Sequence, residues 1–142
     1  MSSNSLGYEV IDHTADLGIV VKGADLKDLF IRAAYAMTDL MVRGHAGTRG
    51  EERELVATGE DLPDLMVRWL SEILYLFAGE HLVVRAIEIG SISPIRLQST
   101  LSVTPFKKGY YRIIREIKAV TYHQISVERA RNGWEARIIF DI

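Results

Sequence analysis

The sequence predicts an α+β fold: a single domain with two main helices packed on a mixed or antiparallel sheet, closed by a C-terminal β-meander. Three observations predict it. Two stretches of helical apolar spacing, near 26–41 and 62–77, are separated by short β-branched runs. After residue 82 no helical period recurs, and alternating segments punctuated by Pro and Gly take over. The chain has 142 residues, 48% of them hydrophobic, which is one domain's worth of core over residues 1–142.

Taken in order, Met1 to Ser5 is small and polar, and residues 1–6 read as a flexible tail with no leader character. Tyr8 to His13 is a short strand ending in a polar cluster, and Leu17 to Lys22 is a second, β-branched strand closed by Gly23. Asp25 is a helix N-cap, with Asp28 facing the helix N-terminus three residues on. Leu26, Leu29, Phe30, Ala33, Ala34, Met37, Leu40 and Met41 form the apolar stripe, and Arg43 and Gly44 supply stop signals. His45 to Gly50 is a loop, and Glu51 to Thr58 a charged edge strand.

The second helix opens at Asp61 with Pro63 in its first turn. It is apolar on more than one face, which makes it the central helix, and Gly79 is its expected cap. Leu82 to Ile89 is a strand. From Ile95 the pattern alternates, with Ile95, Leu97, Leu101 and Val103 on one face and Arg96, Gln98, Thr100 and Ser102 on the other. Pro105 to Gly109 is a basic turn, and Ile113 to Arg129 a long strand, bent or interrupted. Asn132-Gly133 predicts a two-residue type I′ hairpin. Its register would pair Arg131 with Trp134, Glu128 with Arg137, Val127 with Ile138, Ile125 with Phe140 and His123 with Ile142, sending Phe140 inward and Asp141 outward.

Composition removes several function classes. A net charge of −2 with no basic block argues against broad coating of nucleic acid. The absence of cysteine excludes disulfides, thiolate metal sites and cysteine nucleophiles, and fits a reducing cytoplasm. No apolar run reaches the ~20 residues that span a bilayer. Dinucleotide and nucleotide glycine loops, zinc-spaced histidines and a serine elbow are all missing, so a metal-dependent hydrolase lacks a nucleophile or base arrangement.

Three polar groupings remain. Asp12-His13-Thr14-Ala15-Asp16 sits where a strand begins, and Asp141 lies beside the terminal carboxylate of Ile142. For the aspartates two readings stand: Asx-type turn bonds and a solvated end, or a hard-cation site built from carboxylates. Glu116 to His123 alternates so as to put Glu116, Lys118 and Tyr122 on one side and Ala119, Thr121 and His123 on the other, either an ion-pair face or a site. Lys107, Lys108, Tyr110, Tyr111 and Arg112 interleave basic and aromatic residues, either a solvated hairpin or a single-strand nucleic-acid contact.

The first two groupings, set with the two helices and the closing strand, resemble the archease family. Asp-His-Thr-Ala-Asp-Leu-Gly-Ile at 12–19 is similar to its N-terminal signature. Leu26 to Met41 resembles its first helix, and Gly59-Glu60-Asp61-Leu62 leading to Trp69-Leu70-Ser71-Glu72-Ile73-Leu74 its second. Glu116 to His123 and the closing Trp134 to Ile142 complete an ordered match over nearly the whole chain. The resemblance implies an accessory protein, not an enzyme: a cytoplasmic activator of the RtcB-type RNA ligase. That ligase joins 2′,3′-cyclic-phosphate or 3′-phosphate ends to a 5′-hydroxyl in tRNA splicing and RNA repair, and its activator promotes guanylylation and multiple turnover. The resemblance also implies a divalent-metal site, most often calcium, with magnesium or manganese as alternatives, whose ligands fall on Asp16, Asp141 and Ile142. Asp12, His13, Glu116, Lys118 and His123 would support the site or face the partner, with Asp12 in a capping or supporting role. One departure is the interval Thr104 to Arg112, shorter than in many relatives and lacking their Gly-Glu and downstream His. The alternative function is a general protein- or RNA-binding, chaperone-like module.

Overall fold

A computed structural model describes residues 7–12, 16–44 and 50–142, with the backbone alone at Asp12. The expected tail at 1–6, His13 and most of the 45–50 loop fall outside the described residues.

The first strand, β1 (Tyr8–Asp12), pairs antiparallel with β2 (Asp16–Gly23). Helix α1 (Leu26–Met41) begins where Asp25 accepts a 2.8 Å bond from the Asp28 N–H, and its buried stripe is the predicted one except that Leu26 is half-buried and Ala36 joins it. Arg43 and Gly44 do not stop the helix as loop residues. They belong to a short strand, β3 (Val42–Gly44), which leaves the helix directly and pairs with β7 (Tyr111–Ile113). The last turn of α1 carries no basic residue, and its end carbonyls are satisfied from elsewhere. Ile114 N–H donates to the Met41 carbonyl at 2.7 Å, and the Arg115 guanidinium to that of Leu40 at 2.8 Å.

Helix α2 (Leu62–Glu80) starts at Asp61, whose carboxylate accepts from the Asp64 N–H. It runs past Gly79, the expected cap. His81 takes the left-handed conformation instead (φ 57°, ψ 38°), and its N–H bonds back to the Phe77 carbonyl. The helices meet where the buried Trp69 indole N–H donates to the Phe30 carbonyl at 2.9 Å.

Two antiparallel sheets flank the helices, and each helix packs against strands of both. One holds β4 (Glu51–Thr58), β6 (Arg96–Pro105) and β5 (Leu82–Ile92) in the order β4-β6-β5, so Glu51–Thr58 is indeed an edge. Strand β6 alternates as predicted: Leu97, Ser99, Leu101 and Val103 are buried, and the residues between them are half-buried. Ile95 lies before the strand and is exposed. In the other sheet β10 (Gly133–Asp141) is central, with β2 along one edge; β9 (Ser126–Ala130) and β8 (Ala119–Val120) share the other.

The predicted long strand from Ile113 to Arg129 is therefore three pieces. Residues 114–118 form no ladder because their donors go to the end of α1 and to Asp141, and Gln124 turns the chain with φ 52°.

The hairpin register also differs from expectation, by two residues. Ala130 pairs with Gly133, so Arg131 and Asn132 make the turn, and neither has positive φ. Arg129 faces Trp134, its guanidinium 5.2 Å from the ring centroid, and Glu128 faces Glu135 rather than Arg137. Tertiary crowding decides this. Gly133 (φ 147°) crosses the end of β2 so closely that a Cβ there would overlap the Gly23 carbonyl oxygen. Gly133→Ala is expected to cost on the order of 1–3 kcal/mol, read as a lowered midpoint in urea unfolding. A two-residue shift preserves the facing of every side chain. Phe140 is accordingly buried and Asp141 exposed, as the sequence suggested.

Candidate functional site

The segment 12–16 and the chain end meet across β2 and β10. Leu17 pairs with Phe140 and Phe140 with Val120, and all three side chains are buried, which makes this row the inward one. The next row, Asp16–Asp141–Ala119, therefore points away from the core. Directly opposed residues on an antiparallel pair hold their Cβ atoms about 4.5–5.5 Å apart. Two carboxylates thus face each other, flanked by a side chain too small to cover them. The terminal residue Ile142 continues this row's strand by one position and is 39% exposed.

Like charges set opposite each other destabilise a ladder. Among the described residues no lysine, arginine or histidine lies within ion-pair distance of Asp16 or Asp141. Nor do these residues form a cluster of three or more His, Asp or Glu side chains able to hold a metal ion. A cation here would take two side-chain carboxylates together with the terminal carboxylate, an all-oxygen donor set of the kind hard cations accept.

The supporting residues separate. Lys118, rather than His123, is level with the chain end, and its N–H donates to the Asp141 carbonyl at 2.8 Å. Thr121 fixes the same strand end through its N–H and hydroxyl, both donating to the Ile139 carbonyl. His123 lies exposed beyond the ladder, its N–H on the Thr121 hydroxyl. Glu116 is not on one face with Lys118, because 114–118 is not a strand. It lines an apolar concavity of about 330 Å³ with Met41, Phe77, His81, Phe106 and Ile117. The Asp12 side chain and His13 lie outside the described residues.

One polar network beside this strand end escaped the sequence reading. The Tyr122 hydroxyl donates to Asp64 at 2.7 Å, while Asp64 also accepts from the Glu60 N–H and the Arg68 guanidinium. The Tyr122 bond, followed by the Glu60 N–H, holds the Asp64 carboxyl below its usual range, and the same bond raises the Tyr122 hydroxyl. A depressed carboxyl contributes stability above its unfolded value, near ~3.9, that is lost as pH falls through the folded one. Tyr122→Phe should therefore move the Asp64 titration midpoint upward in a carboxyl-resolved NMR titration; an unmoved midpoint would show that Tyr122 does not hold Asp64.

Residues 8–142 match the Archease protein family (MTH1598/TM1083). The chain belongs to the archease family. It is 33% identical to the archease of Methanosarcina mazei, with both chains fully covered. It is 34% identical to that of Archaeoglobus fulgidus over 95% of this chain and 98% of the relative. The solution structure of Methanobacterium thermoautotrophicum protein 1598 superposes with a TM-score of 0.79 at 31% identity, covering 96% of this chain and 99% of that one. The crystal structure of an archease from Thermotoga maritima, described as a possible chaperone, shares the fold at a TM-score of 0.64 and 22% identity, covering 93% and 94%. The α+β, two-helix architecture of this archease is thus that of solved relatives. No helix among its described residues is long and apolar enough to cross a membrane.

Proposed function

We propose that this archease is an accessory protein, not itself an enzyme, that activates an RtcB-type RNA ligase in the cytoplasm. It promotes guanylylation and multiple turnover of that ligase in tRNA splicing and RNA repair. Family membership supports the reading, and one structural observation carries the site: Asp16 stands opposite Asp141 on the outer face, one residue from the chain end. Asp16, Asp141 and the Ile142 carboxylate hold a divalent ion, calcium first among the candidates with magnesium or manganese as alternatives. The ion relieves the repulsion between the opposed carboxylates and orders the end of β10. The chain's own residues do the rest: Lys118 and Thr121 clamp the strand end by backbone bonds, and exposed Lys118 and His123 border the surface offered to the ligase.

The direct test is reconstitution. A cognate ligase supplied with GTP, a divalent ion and RNA ends bearing a 2′,3′-cyclic phosphate and a 5′-hydroxyl should pass from single to multiple turnover when this protein is added. Turnover unaffected by the protein would remove the proposal.

A further inference from the structure

On the short β3–β7 ladder Arg43 is paired directly with Arg112. Opposed residues share a face, so two arginine side chains leave the ladder on the same side, an arrangement that costs stability unless an anion lies between them. Arg43 has Asp39 at 3.5 Å, but that carboxylate also takes the Tyr8 hydroxyl at 2.7 Å. Arg112 has no carboxylate within ion-pair distance among the described residues. Both arginines line a concavity of about 250 Å³ with Gly44, Gly109, Tyr110 and Tyr111, and Tyr110 is 52% exposed beside them. A second concavity of about 420 Å³ shares Arg43, Gly44 and Tyr111 and adds Arg85. The exposed Lys107 and Lys108 lead into the same turn. In a chain of net charge −2 this is a local concentration of cations at one two-stranded ladder.

We infer that the β3–β7 ladder binds a single strand of nucleic acid, with a backbone phosphate held between Arg43 and Arg112 and a base stacked on Tyr110. Two guanidinium forks match the oxygens of one phosphate, which a compact ammonium does less well. An exposed tyrosine beside the phosphate site selects a strand whose bases are free to splay; duplex bases are already stacked. The inference does not rest on the ligase reading, because binding is measured with no ligase present.

Fluorescence anisotropy of a labelled oligouridylate, titrated with the full chain across a salt series, tests it. Binding at low salt should weaken with a log–log slope of about −0.7, the value for the one phosphate that the two guanidinium groups hold. Arg112→Glu should abolish binding and Arg112→Ala should weaken it about tenfold or more, through loss of one charge-assisted contact. Tyr110→Ala should weaken binding about fivefold or more with the slope unchanged, since stacking releases no counterion. Circular dichroism checks that these exposed-site variants keep the fold. Absence of binding by the unmodified chain at low salt would overturn the inference, as would equal binding by Arg112→Glu. So would displacement of the RNA by polyglutamate or by an RNA duplex at the same concentration as by unlabelled single strand.

Discussion

Replacing Asp141 by Ala is expected to leave the metal-free protein as stable as before, or slightly more stable, while removing its stabilisation by calcium. Asp141 faces Asp16 with no cation among the described side chains to separate them, so deleting one carboxylate relieves a repulsion in the empty site. The bound state behaves in the opposite way. An ion that binds only the folded chain stabilises it by about 2.7 kcal/mol at a hundredfold excess over its dissociation constant. Losing one of three carboxylates strips charge from the set that gives a calcium site its affinity. Thermal unfolding with calcium and with chelator should therefore separate the unmodified chain into two curves and superimpose those of Asp141→Ala. Asp16→Ala should behave alike. A peptide tag fused after Ile142, which replaces the terminal carboxylate by an amide, should narrow the gap. Equal calcium shifts in all four proteins would remove the ion from this corner of the fold.

The second large effect lies in the core. Trp69 is fully buried, and its indole ties α2 to the Phe30 carbonyl of α1. Trp69→Ala should cost about 3–5 kcal/mol, through the cavity and the lost bond. Against a typical total of about 5–15 kcal/mol, that leaves the chain close to unfolding at physiological temperature. Tyr75, on the same helix but 59% exposed, provides the control, since its replacement by Ala should change stability by no more than about 0.5 kcal/mol. If urea unfolding placed the two variants together, the packing of the helices between the sheets would not be the chief source of stability.

What the sequence revealed was mostly local. The caps at Asp25 and Asp61, the buried stripes of both helices and the alternation of β6 depend on residues a few positions apart, and all were legible. Where distant parts of the chain decide, the reading went astray. Asn132-Gly133 pointed to a type I′ turn, but Gly133 is needed in the strand, where the Gly23 carbonyl leaves no room for a Cβ. Residues 114–118 alternate like a strand, yet their donors serve the open end of α1 and the Asp141 carbonyl. Gly79 looked like a cap, but the helix runs on to Glu80 and His81 caps it.

The candidate site divides in the same way. The aspartates at 16 and 141 were singled out by residue type and by family resemblance. Their placement opposite each other follows only from the pairing of β2 with β10, 125 positions apart along the chain. The Asp64–Tyr122 bond and the Arg43–Arg112 pair, by contrast, left no signal in the sequence, because nothing local links a helix N-terminus to a later loop, or β3 to β7. Alternation sets Glu116 and Lys118 on one face, but the backbone at 114–118 does not follow it.

If the acidic pair at the chain end serves a ligase, multiple-turnover ligation is the reaction that depends on it. With the ligase limiting and RNA in excess, the unmodified chain should sustain ligation past the first turnover. Asp141→Asn, which keeps the shape and removes the charge, should leave ligation stalled after one. Sustained turnover by Asp141→Asn at the rate of the unmodified chain would contradict that role.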